Sequence, residues 1–192
     1  MRNRLIFLII FMITSLSILF GQTLNETQIL SALDADDNEE SGMAVAISGD
    51  FAVVGAWKED HNAIGNDSLV NAGAVYIFER DTLGSWVEVQ KIVASDRSVR
   101  DRFGKSVAID GNYLVVGAHL KDIVSANPNA GAAYVFERDT IGVWNEVDIL
   151  LASDRAEFDE FGTTVSIYGK TCLLYTSPSP RDATLSRMPS SA

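Results

Sequence analysis

The sequence predicts an all-β protein assembled from repeated four-stranded antiparallel units, and three observations predict it. One phrase is written almost three times: SGMAVAISGDFAVVGAW (41–57), FGKSVAIDGNYLVVGAH (103–119) and FGTTVSIYGK (161–170). A segment recurring at fixed spacing is a structural unit. Within each copy the apolar runs are short, rich in β-branched and aromatic residues, and bounded by glycine-bearing turns. No run carries a sustained helical stripe.

Alignment fixes the register. Gly42, Gly104 and Gly162 fall at steps of 62 and 58 residues, and Ala72-Gly73 with Ala130-Gly131, Asp81 with Asp139 and Trp86 with Trp144 all repeat at 58. The four extra residues of the first step lie between Ala56 and Ala72, in a segment that reads as a surface loop.

The elements follow in order. AVAIS and FAVVGA flank Gly49-Asp50, and SVAID and YLVVGA flank Gly111-Asn112, the pattern of hairpins with two-residue turns. AAYVFER (132–138) and WNEVDILLA (144–152) complete the second unit around DTIGV. Four such strands cannot cover both faces of their own sheet, whereas blades stacked around an axis cover each other. The prediction is therefore an incomplete β-propeller, about two blades plus the start of a third. FAVV and YLVV should run in the covered middle, with WVEVQ and WNEVD nearer the outside.

Both ends read differently from this core. Residues 1–21 carry Arg2 and Arg4, then the apolar run LIFLIIFMITSLSILF and a small residue, Gly21, which is the order of a secretory signal peptide. The 16-residue run is shorter than the roughly 20 residues of a bilayer span, so no span is expected after cleavage, a retained anchor being the alternative. At the other end, residues 171–192 are rich in Ser and Pro. Cys172 to Asp182 and Ser186 to Ala192 can be read back into the codons of a sequencing-library adapter. The segment is expected to be an adapter-derived artefact and disordered, with an ordinary disordered tail as the alternative. The propeller fragment is placed at 22–170.

That region holds no cysteine, so disulfides, thiol nucleophiles and Cys-ligated metals are excluded from it. It carries 25 Asp and Glu against 11 Lys and Arg, a net charge of −14, which argues against nucleic acid as a partner.

The phrases FGKSVAIDGNYLVVGAH, AGAAYVFERD and LLASDRAEFDEFG resemble the FG-GAP repeat of integrin α heads and of many secreted bacterial proteins. The FG stands at Phe103-Gly104 and Phe161-Gly162, and the GA at Gly55-Ala56 and Gly117-Ala118. With Gly42 these are the structural motif residues. Ser41 replaces the first Phe, and Trp57 and His119 replace the Pro. The resemblance implies β-propeller blades and, in the integrin-like form, a calcium loop of the type DxDxDG between the first two strands. Here that place holds Ile-Ser-Gly-Asp and Ile-Asp-Gly-Asn, too short to surround an ion with six or more oxygens. Calcium is thus not carried over to these blades, although other blades could hold it. Asp50 and Asp110 are expected to point into water.

No residues are assigned as catalytic, cofactor-binding or metal-ligating. Asp34, Asp36 and Asn38 alternate like a calcium loop but lack its turning Gly, and read as a solvated acidic loop. Asp60, Asn62, Asn66 and Asp67 form a second oxygen-rich stretch in one loop only. His61 and His119 do not align, no nucleophile elbow or phosphate-cradling glycine motif occurs, and Asn25 and Asn66 open glycosylation sequons. Trp86 and Trp144 are expected to fill one repeated packing site, and Trp57 to be a loop contact residue. The expected function is a secreted or cell-surface module that binds a protein or carbohydrate ligand and is not an enzyme. The alternative is part of a secreted propeller enzyme, a hydrolase or lyase, with its active site in other blades.

Overall fold

The computed structural model describes residues 28–34, 39–65, 68–123, 128–175 and 184–187. The proposed signal peptide, Asn25, Asp36, Asn38, Asn66 and Asp67 lie outside the described residues.

The first sheet contains β1 (Ser41–Ser48), β2 (Phe51–Ala56), β3 (Ala74–Arg80) and β4 (Trp86–Ile92), antiparallel and in chain order. The second repeats it with β5 (Phe103–Asp110), β6 (Tyr113–Ala118), β7 (Ala132–Arg138) and β8 (Trp144–Leu150). A third sheet begins with β9 (Thr164–Tyr168), β10 (Thr171–Tyr175) and β11 (Thr184–Arg187). The fold is all-β, with open antiparallel sheets in the manner of propeller blades.

Burial follows the predicted layering. Inner strand β6 is buried along most of its length, whereas β8 alternates and reaches solvent. Strand alternation sends successive side chains to opposite sheet faces. Val53, Val75 and Ile77 of blade 1 thereby meet Ile109, Leu114, Val116, Tyr134 and Phe136 of blade 2 in one core. Val115, Ala133 and Val135 on the other face of blade 2 meet Val165, Cys172 and Leu174.

This last contact corrects the sequence reading. Thr171–Tyr175, expected to be disordered, form a strand paired with β9 in register Thr171↔Tyr168 to Tyr175↔Thr164. The physical reason is local. Thr171-Cys172-Leu173-Leu174 offers apolar side chains at alternate positions, so Cys172 and Leu174 are buried where Leu114 and Val116 stand in blade 2. The backbone of β11 extends the same sheet.

A clasp joins the outer parts of neighbouring blades. The Gln90 side chain of β4 accepts from the Trp144 backbone N at 2.9 Å and donates to its O at 2.9 Å. Gln28 makes the same two bonds to Trp86. The segment 28–34 therefore occupies on blade 1 the place that the end of β4 and its link occupy on blade 2. Trp144 fills its expected site, edge-on to Phe51 of blade 1. Trp86, which among the described residues meets only the segment 28–34 in that place, is half-buried.

Candidate functional site

The motif residues come together at the seam between blades. In blade 2 the pairing of β5 with β6 slips between Phe103 and Ser106, and Gly104 sits in that bulge with φ of +88°. Such a backbone favours glycine, and the bulge turns the adjacent Phe103 into the seam. Its ring is fully buried, edge-on to Tyr134 and Phe136. Its backbone N donates to Ala72 O of blade 1, and Phe161 N does the same to Ala130 O of blade 2.

Close approach explains the remaining glycines. A Cβ on Gly55 would stand 2.0 Å from Gly104 O, and one on Gly117 1.9 Å from Gly162 O. The GA of each blade is thus the seat for the FG of the next. Ala56 and Ala118 are fully buried beside it. Gly42 shares the positive φ but has open space around it, because among the described residues no FG of a preceding blade is seated against it. Where Ser41 replaces Phe, a cavity of about 150 Å³ remains, lined by Leu30, Ala32, Val54, Tyr76 and Phe78. Four of these correspond to Ile92, Ala94, Tyr134 and Phe136, which share the core cluster of Phe103. The cavity is the hollow of the missing ring.

The two ends of the blades differ. At one end stand the short turns. Asp81 Oδ1 accepts from Leu83 N and Ser85 N, and Asp139 Oδ1 accepts from Ile141 N and Val143 N. The aligned aspartates are turn builders. The hairpin acids do not simply face water: Asp50 accepts from Arg80 Nη2 at 2.6 Å, and Asp110 accepts from Gly169 N of the next blade at 2.6 Å.

The other end carries the long β2–β3 and β6–β7 loops and the links between blades, and it holds the buried polar side chains. In blade 1, Glu59 accepts from Tyr76 Oη at 3.1 Å and from His61 N at 2.7 Å, with Lys91 Nζ at 3.3 Å. Burial pushes the Glu59 carboxyl up, but the bond from Glu39 and those from His61 and Tyr76, with the Lys91 charge, outweigh it and hold it well below the usual range. In blade 2 the cation changes place. Lys121, aligned with Glu59, reaches Asp101 at 2.9 Å and Asp96 at 3.2 Å, while Ile149 stands where blade 1 has Lys91. Burial raises the Asp101 carboxyl, and Lys121 opposes that rise without cancelling it.

Several sequence candidates become loop supports. Asp34 is not simply solvated: burial pushes its carboxyl up, but the bond from Lys91 at 2.7 Å and the charge of that ammonium, with the Tyr76 hydroxyl nearby, hold it below its ordinary value. Asp60 Oδ1 accepts from Asn71 N, as the aligned Asp122 does from Asn129 N. Asn62 Oδ1 accepts from Ile64 N. Among the described residues no group of three or more His, Cys, Asp and Glu is arranged to hold a metal.

Trp57 is 7% exposed and therefore not a free loop contact. Arg102 and Lys105 of blade 2 lie over its ring at 4.6 and 4.7 Å, joined by Lys58 at 4.8 Å. Lys58 also pairs with Glu40. His119 is buried, and burial together with the charges of Arg102 and Lys105 brings it down to about 4.

The FG-GAP repeat model matches residues 24–78, 86–136 and 144–174. The chain belongs to the FG-GAP repeat family. No curated protein matches it. The second matched segment runs from Trp86 to Phe136, which is β4 of one blade followed by β5, β6 and β7 of the next. An FG-GAP unit thus straddles the seam, with its FG in the middle. The third segment includes Cys172 to Leu174, in agreement with β10 as a blade strand. Sequence reading singled out Gly55, Gly104, Gly117 and Gly162, but used Gly73 and Gly131 only to fix the register, although a Cβ on either would strike Phe103 or Phe161 of the next blade, and it missed the Gln28 and Gln90 clasps. Their 62-residue spacing was the available signal.

Proposed function

We propose that this FG-GAP module is a secreted or cell-surface binding element that engages a protein or carbohydrate partner through its long-loop end and carries out no chemistry of its own. The observation that supports it best is the asymmetry of the blades. One end is closed by short turns, while the other displays long loops held from beneath by buried ion pairs such as Lys121 with Asp101. Rigidly supported loops are the usual carriers of recognition. FG-GAP repeats are typical of extracellular proteins, and among the described residues no helix is long and apolar enough to cross a membrane. The carboxylates of Glu59, Asp60, Asp101 and Asp122 all serve backbone or ion-pair contacts, which favours support over catalysis.

Two measurements test this reading. Expression from a secreting host with the native N-terminus should release protein beginning near Gln22, and retention of residues 1–21 in cell-associated protein would contradict secretion. Immobilised full chain screened against extracellular proteins and a glycan array should bind partners that loop substitutions remove. Binding lost only through changes at the short-turn end would contradict the assignment of the face.

A further inference from the structure

At the long-loop end of the seam between blades 1 and 2, the geometry points to a binding site for a carboxylate side chain of an acidic protein segment, formed by Arg102, Lys105 and His119. It rests on the reading of the long-loop end as a binding face.

The cations lack their natural partner. Among the described residues, neither Arg102 nor Lys105 forms an ion pair, although region 22–170 carries 25 acidic residues. Both instead lie over the Trp57 ring, which brings the two charges together. Arg102 Nε is buried without a hydrogen-bond partner, and so is Nδ1 of His119. Both stand just beyond the terminal pair of the β5–β6 ladder, Phe103 with Ala118, and the charges of Arg102 and Lys105 act on the His119 ring. A fork of N–H groups, an ammonium and an imidazole nitrogen therefore gather where no acceptor of the described chain arrives. A buried guanidinium N–H is normally satisfied, and an ionised carboxylate is the acceptor that matches an arginine fork.

The seam itself does not need these residues. Positions aligned with Arg102 and Lys105 are Glu40 and Met43 in blade 1 and Glu160 and Thr163 in blade 3, yet the FG contacts persist at Phe161-Gly162. A protein carboxylate fits better than an acidic sugar, because the Trp57 ring is covered by cations and offers no face on which a sugar could stack.

The test uses the full chain and a hexaglutamate peptide, with trigalacturonate and hexalysine as comparison probes, read by isothermal titration and by the His119 imidazole resonances. Hexaglutamate should bind with an affinity that falls as salt rises, raise the His119 pKa, and lose at least tenfold in affinity in Arg102→Gln and in Lys105→Gln. Lys105 is only half-buried and serves as the variant that leaves the fold intact. Binding of hexaglutamate that survives both substitutions, or a His119 resonance that does not respond, would overturn the site. Stronger binding of trigalacturonate through the same residues would overturn the assignment to a protein partner. A chain that binds partners through its loops independently of Arg102 and Lys105 would sink this proposal and leave the wider reading standing.

Discussion

The carbonyl oxygen of Gly104 lies where a Cβ on Gly55 would be, 2.0 Å from its ideal position, and Gly162 repeats the relation to Gly117 at 1.9 Å. The two dipeptides of the repeat are therefore the two halves of one joint. The joint never forms within a blade. It forms between a blade and its successor, so the repeated words encode assembly.

The hollow at Ser41 gives the sharpest stability prediction. Ser41→Phe should fill the cavity bounded by Tyr76 and Phe78 and stabilise the chain by about 0.5–2 kcal/mol, the usual yield of cavity filling. The reverse change, Phe103→Ala, should cost about 3–5 kcal/mol. Thermal or denaturant midpoints of the two variants decide it. A neutral or destabilising Ser41→Phe would show that the cavity is not the counterpart of the Phe103 site.

The migrating cation gives a second prediction. Lys121→Met leaves the buried Asp101 carboxylate uncompensated and should cost about 3–5 kcal/mol, while Lys121→Met with Asp101→Asn should recover a large part. Denaturant unfolding of the single and double variants measures the coupling. Additive losses would mean that the two residues do not depend on each other.

His119 sets a pH dependence. Its folded pKa, about 4, lies below the ordinary value of 6.5 because burial and the neighbouring Arg102 and Lys105 oppose protonation. The unfolded chain therefore takes up the proton first. Stability from this group is complete above pH 6.5 and is lost as pH falls from there towards 4, with a total of order 1–3 kcal/mol. His119→Asn should remove that part of the slope. Identical slopes in parent and variant between pH 6.5 and 4 would contradict the assignment.

Much of the fold was legible because blade packing is written in patterns that survive alignment. Gly104 and Gly162, the alternating VAID and VSIY runs and the hairpin glycines each carry a local backbone demand. The polar support of the loops was not legible in that way. Asp34 read as solvated because its partner Lys91 is 57 residues away, and the acid–base arrangement shifts between blades, with Lys121 standing where Glu59 stands. Trp57 read as a loop contact because nothing local reveals that Arg102 and Lys105 cover it. Composition misled at Thr171–Tyr175, where a Ser- and Pro-rich neighbourhood hid a short alternating strand.

The leading face of blade 1 exposes Met43, Val45 and Ile47, at 62%, 66% and 66%, whereas the aligned Val107 and Ile109 are covered by blade 1. The chain should therefore self-associate at micromolar concentration, since an uncovered apolar sheet face invites a partner. Val45→Lys with Ile47→Lys should shift it towards monomer in sedimentation velocity. A parent chain that sediments as a monomer throughout would contradict this.

The joint itself is tested most directly by Gly117→Ala, measured by thermal unfolding beside Gly49→Ala. Gly117 faces Gly162 across the seam, whereas Gly49 lies in a hairpin with nothing within 4 Å of an added Cβ. The hairpin change should cost only about 1 kcal/mol, for the backbone conformation alone. The seam change should cost at least about 2–3 kcal/mol and raise amide exchange in β9 and at Phe161, because overpacking forces the blades apart. Equal effects of the two substitutions, with exchange at Phe161 unchanged, would contradict the FG and GA residues as an interblade joint.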